Sequence, residues 1–128
     1  MPEFTVDTGD HTEVVDITSE VEDALPDDAD GVATVFVKHT TAGVVLNEAE
    51  SRLVEDIESF VSDLALDSGW RHDELDGNAD SHLRAMLLGE SVQIPVSGGR
   101  LQTGTWQSVL FVECDGPRQR TVSVTVTG

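Results

Sequence analysis

Two periods run through the apolar positions of this chain. Alternation by two marks strands, and it is cleanest over Thr121–Thr127. There Val122, Val124 and Val126 point one way, and Thr121, Ser123, Thr125 and Thr127 the other. Glu3–Thr8 and Thr12–Thr18 are two more strand candidates, with Gly9-Asp10 between them as a hairpin turn. The apolar run Val32–Val37 predicts a strand ending near Lys38. Val92–Val96 predicts another, followed by a turn at Gly98-Gly99, and Gly104–Cys114 contains a long strand closed by the tight turn Asp115-Gly116-Pro117.

A period of 3.6 marks helices. Leu53, Ile57, Phe60, Val61 and Leu64 form one stripe, which predicts a helix from about Glu48 to Leu66 with Asn47 as its N-cap. Ala79–Leu88 predicts a second helix, closed by Gly89. Ser19 and Glu22 have capping-box spacing, so a short helix to about Leu25 is expected before Pro26. Ser68–Gly77 reads as a loop. About seven strands, mostly hairpin-connected, with two principal helices give an α+β class with antiparallel sheet. No crossover pattern of a doubly wound fold appears, and no glycine-rich phosphate loop follows a strand.

Length and charge narrow the classes. The 128 residues suit one domain, 1–128. There are 25 acids against 7 Lys+Arg, for a formal net charge of -18, and Lys38 is the only lysine. Nucleic acid and anionic membranes need a cationic surface, so neither is an expected partner. The regular apolar runs argue for a folded protein suited to a high-salt cytoplasm over an acidic disordered one. Concentrated salt shortens the Debye length to about 3 Å at 1 M and quiets self-repulsion. Cys114 is the single cysteine, on an apolar strand pattern, and reads as a buried inert thiol. The N-terminus carries no apolar signal segment and no run reaches membrane-spanning length, so a soluble cytoplasmic protein is expected.

The candidate chemistry begins with histidine, which binds transition metals and moves protons near neutral pH. His39, His72 and His82 lie in polar, turn-flanked stretches; together they suit a divalent ion such as zinc, or act as ordinary hydrogen-bonding residues. Lys38-His39-Thr40-Thr41-Ala42-Gly43 ends a strand shortly before the expected helix start at Asn47 and Glu48. Such a place favours an anion, or simply caps and turns the chain. Arg118 and Arg120, two apart on a strand, either grip a phosphate or pair with Glu113 and Asp115. Gly104-Thr105-Trp106-Gln107 puts a ring and an amide at a strand start. No Ser-His-Asp arrangement or nucleophile elbow is present.

These segments are spread over the whole chain: Asp16-Ile17-Thr18, His39 to Gly43, Asn47-Glu48, Asn78-Ala79-Asp80-Ser81-His82, Leu88-Gly89, Gly104 to Gln107, Glu113, Arg118 and Arg120. In order and spacing they resemble the YjbQ family, once grouped as UPF0047 and often labelled secondary thiamine-phosphate synthases. The resemblance implies a sandwich-like α+β fold, a homotrimer, and a polar cleft holding His39, His72 and His82, suspected of binding a divalent metal, zinc or magnesium, with no organic cofactor. Trp70 stands where the family often has tyrosine, so the ring is kept and its hydroxyl lost. The implied activity joins hydroxymethylpyrimidine pyrophosphate to thiazole phosphate, with Thr40, Thr41, Asn47, Asn78, Gln107, Arg118 and Arg120 toward substrate phosphate. Two alternatives stand beside it: a metal-dependent hydrolase of a small phosphorylated molecule, with Glu48 as general base and His82 as its catalytic partner, or a non-enzymatic metal or anion binder.

Overall fold

The computed structural model describes residues 2–128. Among these residues, eight strands form two antiparallel sheets. In the larger, β1 (Glu3–Asp7), β8 (Gln119–Thr127), β3 (Gly31–Val37), β5 (Ser91–Ser97) and β6 (Arg100–Leu101) lie side by side in that order. The smaller has the order β2 (Glu13–Asp16), β7 (Ser108–Glu113), β4 (Ala42–Asn47). Three helices complete the α+β fold: α1 (Thr18–Asp23), α2 (Ser51–Asp63) and α3 (Ala79–Leu88), with a 3₁₀ turn at Arg71–Glu74. No helix among the described residues is long and apolar enough to cross a membrane.

The layers follow from side-chain parity. Alternate residues of β3 (Ala33, Val35, Val37) and β8 (Val122, Val124) face the smaller sheet, which answers with Ala42, Val44, Val109 and Phe111. On its other face Leu110, Val112 and Cys114 pack against Val54, Ile57, Val61 and Leu64 of the α2 region. Strand β7 is therefore covered on both sides, which is why it reads as a continuous apolar run and not as an alternation. Burying Phe111 alone contributes about 2–3 kcal/mol.

The structure corrects several expectations. Gly9-Asp10 is not a hairpin turn: β1 pairs with β8 and β2 with β7, so the chain crosses from one sheet to the other there. Its amides donate to the Glu13 carboxylate at 2.7 and 3.1 Å, so a side chain holds the bend and not a strand ladder. Of the strand pairs, β5–β6 alone joins sequence neighbours, among the described residues, so the strands are mostly not hairpin-connected.

The expected helix from Glu48 is shorter. Ala42–Asn47 is claimed by pairing with β7, and α2 starts at Ser51. Glu50 caps it, accepting from the amides of Arg52 and Leu53 at 2.8 and 3.2 Å. Asn47 instead closes β4, its side chain accepting from the Glu48 amide. Phe60 is exposed, because it lies about 100° around the helix from Val61, off the buried stripe. Ile17 and not Ser19 occupies the N-cap of α1, which has no side-chain capping bond.

Candidate functional site

The inward row of β3 does not stop at Val37. His39 is the next residue of that parity, as Arg120 is on β8 and Glu113 on β7. Polar side chains thus take over where the apolar core ends. Arg120 and Glu113 form an ion pair with both side chains almost fully buried. Arg120 also donates to the Thr41 hydroxyl at 2.9 Å and the Thr41 carbonyl at 3.2 Å, and Thr8 donates to Glu113 at 2.8 Å.

Helix α3 closes the other wall. The Ser81 hydroxyl donates to the Cys114 carbonyl at 2.6 Å, and the Asn78 amide to Asp115 at 3.0 Å. Buried Arg84 pairs with Asp80 and donates to the Ser62 and Ala65 carbonyls, both at 2.8 Å, which caps the end of α2. These contacts fix where His82 projects.

Between the walls lies a cleft of about 390 Å³, lined by Lys38, His39, Thr40, Thr41, Asp76, Asn78, His82, Asp115, Arg118 and Arg120. It adjoins a hollow of about 620 Å³ that shares Lys38, His39, Thr40 and His82 and is otherwise walled largely by Phe36, Val37, Ala42, Ala85 and Met86. A polar cleft thus opens beside an apolar one.

Residues 2–128 match the family described as UPF0047 protein YjbQ-like. The chain belongs to the YjbQ family. It is 48% identical to a UPF0047 protein of Archaeoglobus fulgidus, over 95% of this chain and 97% of that one. A UPF0047 protein of Methanothermobacter thermautotrophicus is 44% identical over 98% of this chain and 90% of its own. The crystal structure of a hypothetical protein from Aeropyrum pernix K1 superposes with a TM-score of 0.94 at 48% identity, covering 99% of this chain and 97% of that one. An uncharacterized YjbQ/UPF0047 protein from Clostridium acetobutylicum gives 0.91 at 37% identity, covering 99% and 100%.

In this YjbQ chain the expected site residues divide into two groups. His39, Thr40, Thr41, Asn78, His82, Arg118 and Arg120 share the cleft. Asn47, Glu48 and Gln107 do not. Asn47 pairs with Ser108 at the far end of β4, five residues from Ala42, which is roughly 16 Å of strand. Glu48 is therefore no general base for this cleft, and α2 does not present its N-terminus to Thr40 and Thr41; the helix that starts beside the cleft is α3. Gln107 accepts from the Gly104 amide at 2.9 Å and holds its own turn.

The histidines meet only in part. His72 and His82 stack edge to face with ring centroids 4.9 Å apart. His72 Nε2 is buried, makes no hydrogen bond, and stands 3.7 Å from Asp76. His39 Nε2 accepts the Thr121 amide at 2.8 Å, which occupies its lone pair. Among the described residues no three His, Cys, Asp or Glu side chains come together as a set able to hold a metal ion. The residues of one chain thus do not fit a three-histidine centre of His39, His72 and His82.

Of the two arginines, Arg120 is committed to Glu113. Arg118 is half exposed and donates to the Asp115 carboxylate at 2.9 Å and its carbonyl at 2.8 Å. Burial pushes the Glu113 carboxyl up, but Arg120, the Asp115 amide and Thr8 outweigh it and hold the group below its ordinary value. Asp115 follows the same pattern: burial raises it, and Asn78 and Arg118 bring it below normal. Burial lowers His39, and Arg120 adds to that.

Sequence reasoning placed Lys38 only as the start of an anion-favouring stretch, missed Asp115 as a cleft residue, and gave no part to His11, whose Nδ1 lies 4.0 Å from Asp115. Lys38 carried a signal: it is the only lysine and precedes His39. Asp115 and His11 meet through tertiary contact alone.

Proposed function

We propose that the cleft binds the phosphate end of a small phosphorylated molecule, with the body of the ligand in the adjoining apolar hollow. The supporting observation is where the cations are. The chain carries -18, with only seven Lys+Arg, yet three of those seven line this cleft with His39 and His82. The lining holds three basic side chains against two acidic ones, Asp76 and Asp115, in a protein where acids outnumber bases more than threefold. Lys38 and Arg118, each about half exposed, pair with Glu3 at 2.8 Å and with Asp115 at 2.9 Å; a phosphate would compete with those carboxylates for them, beside the hydroxyls of Thr40 and Thr41.

Within this reading the narrower activity is that of a secondary thiamine-phosphate synthase. A pyrimidine pyrophosphate and a thiazole phosphate each combine an anionic end with a flat ring, which suits a polar cleft beside an apolar hollow. The thiazole nitrogen would bond to the pyrimidine methylene carbon as the C–O bond to pyrophosphate breaks, with Lys38 and Arg118 stabilising charge on the departing pyrophosphate and His82 beside them in the cleft. The test is ³¹P NMR of the purified protein with both substrates. Pyrophosphate release that disappears in Arg118→Ala supports the activity; no release above the enzyme-free control rejects it and leaves phosphate binding to be measured on its own.

A homotrimer belongs to the same proposal. Phe60, Leu66, Leu75, Met86, Leu87 and Trp106 are each more than three-fifths exposed and offer apolar area for contact with further copies of the chain. Light scattering should return three times the 13.8 kDa chain mass.

A further inference from the structure

We propose that His39 is a fixed neutral imidazole that presents Nδ1–H to the cleft as a hydrogen-bond donor to a ligand oxygen. The warrant is a substitution in the β3–β8 ladder. Lys38 donates its amide to the Thr121 carbonyl at 3.3 Å. An antiparallel pair would return the Thr121 amide to the Lys38 carbonyl. That amide goes instead to His39 Nε2, at 2.8 Å.

A backbone N–H only donates, so Nε2 must be the bare nitrogen, and a neutral imidazole then carries its proton on Nδ1. Nδ1 makes no hydrogen bond within the described residues and is not among the buried unpartnered atoms. His39 lines both the cleft and the adjoining hollow. Protonating Nε2 would set two N–H groups against each other beside Arg120.

Two consequences follow. His39 offers the ligand a directional donor without a charge, which favours an oxygen acceptor. It also cannot accept a proton or a cation at Nε2 unless the Thr121 bond breaks. That the oxygen belongs to a phosphate rests on the function proposed above; the tautomer does not.

Long-range ¹H–¹⁵N correlation on uniformly ¹⁵N-labelled protein at pH 7.5 reads the tautomer directly, with His39→Gln to assign the signals. The expected result is a protonated Nδ1 and a bare Nε2. An Nε2–H tautomer or an imidazolium overturns the proposal. Adding inorganic phosphate should then shift Nδ1 and leave Nε2 bare. Phosphate that binds by calorimetry without moving Nδ1 overturns the donor role and spares the phosphate reading. Absence of any phosphate binding overturns the phosphate reading, while the tautomer stands or falls on the correlation spectrum. Added Zn²⁺ should leave Nε2 unmoved, and a zinc-induced shift there overturns the fixed tautomer.

Discussion

Arg120 of β8 and Glu113 of β7 bind each other across the gap between the two sheets, at the point where the apolar core gives way to the cleft. With the bonds from Thr8 to Glu113 and from Arg120 to Thr41, the pair ties the two sheets together where their apolar contact ends. It also positions the site, because Arg120 reaches Thr41 and lies beside His39. Glu113→Gln leaves the arginine charge buried without its counter-ion. A loss of about 3 kcal/mol or more is expected in urea denaturation. A loss under 1 kcal/mol would mean the sheets do not depend on the pair.

The same carboxyls set the acid limit. Glu113 and Asp115 are both held below their ordinary values of 4.5 and 3.8 in the folded state. Groups depressed on folding contribute stability that is complete above the unfolded pKa and is lost as pH falls through the folded one. Unfolding free energy should therefore be flat in their contribution above about pH 5 and decline below about pH 4.5. The decline should be shallower in Glu113→Gln. An identical slope in the variant would assign acid lability to other groups.

Gly43 is fixed by a close approach and not by its backbone angle. A Cβ there would lie 2.7 Å from the Gly89 carbonyl and 2.8 Å from Leu88 Cβ, where the end of α3 crosses β4. The Val44 amide donates to that same carbonyl at 3.1 Å. Gly43→Ala should cost about 1–3 kcal/mol and displace α3, with new chemical shifts at His82. A variant as stable as the parent would show that the helix has slack.

Cys114 is fully buried on the helix side of β7, and burial pushes its thiol up to about 12. It should not react with a disulfide reagent at pH 8 in the native protein. Full reaction is expected after unfolding in guanidinium. Rapid labelling of the native state would place the thiol at the surface.

How far the chain could be read depended on the layers. Strand β8 was legible because it has one face buried and one not, which leaves a clean period, whereas helix α3 was legible from its Gly89 stop, since its buried face carries Asp80, Ser81 and Arg84 while Met86 and Leu87 are exposed. Strand β4 was mistaken for a lead-in to the helix because pairing with β7, a partner more than 60 residues away, is invisible locally. His39 could be placed in principle, since it continues the inward parity of Ala33, Val35 and Val37. The contact of His72 with His82 could not, because a 3₁₀ turn sets it. A family pattern names Asn47, Glu48 and Gln107 alongside His39 without saying that a strand's length separates them.

Salt should stabilise the fold. With a formal charge of -18, self-repulsion is strong at low ionic strength and weakens as the Debye length falls from about 10 Å at 0.1 M to about 3 Å at 1 M. The thermal midpoint should rise between those concentrations of NaCl. An unchanged midpoint would mean that self-repulsion contributes little to the stability of the fold.

If the cations gathered at the cleft serve the proposed function, the protein binds phosphate groups there. Isothermal titration of the protein with inorganic pyrophosphate at low salt tests it most directly, with Arg118→Ala in parallel. Saturable binding that weakens at least about tenfold in the variant, a loss of roughly 1.4 kcal/mol, is the predicted result. No measurable binding, or equal binding by both proteins, would contradict it.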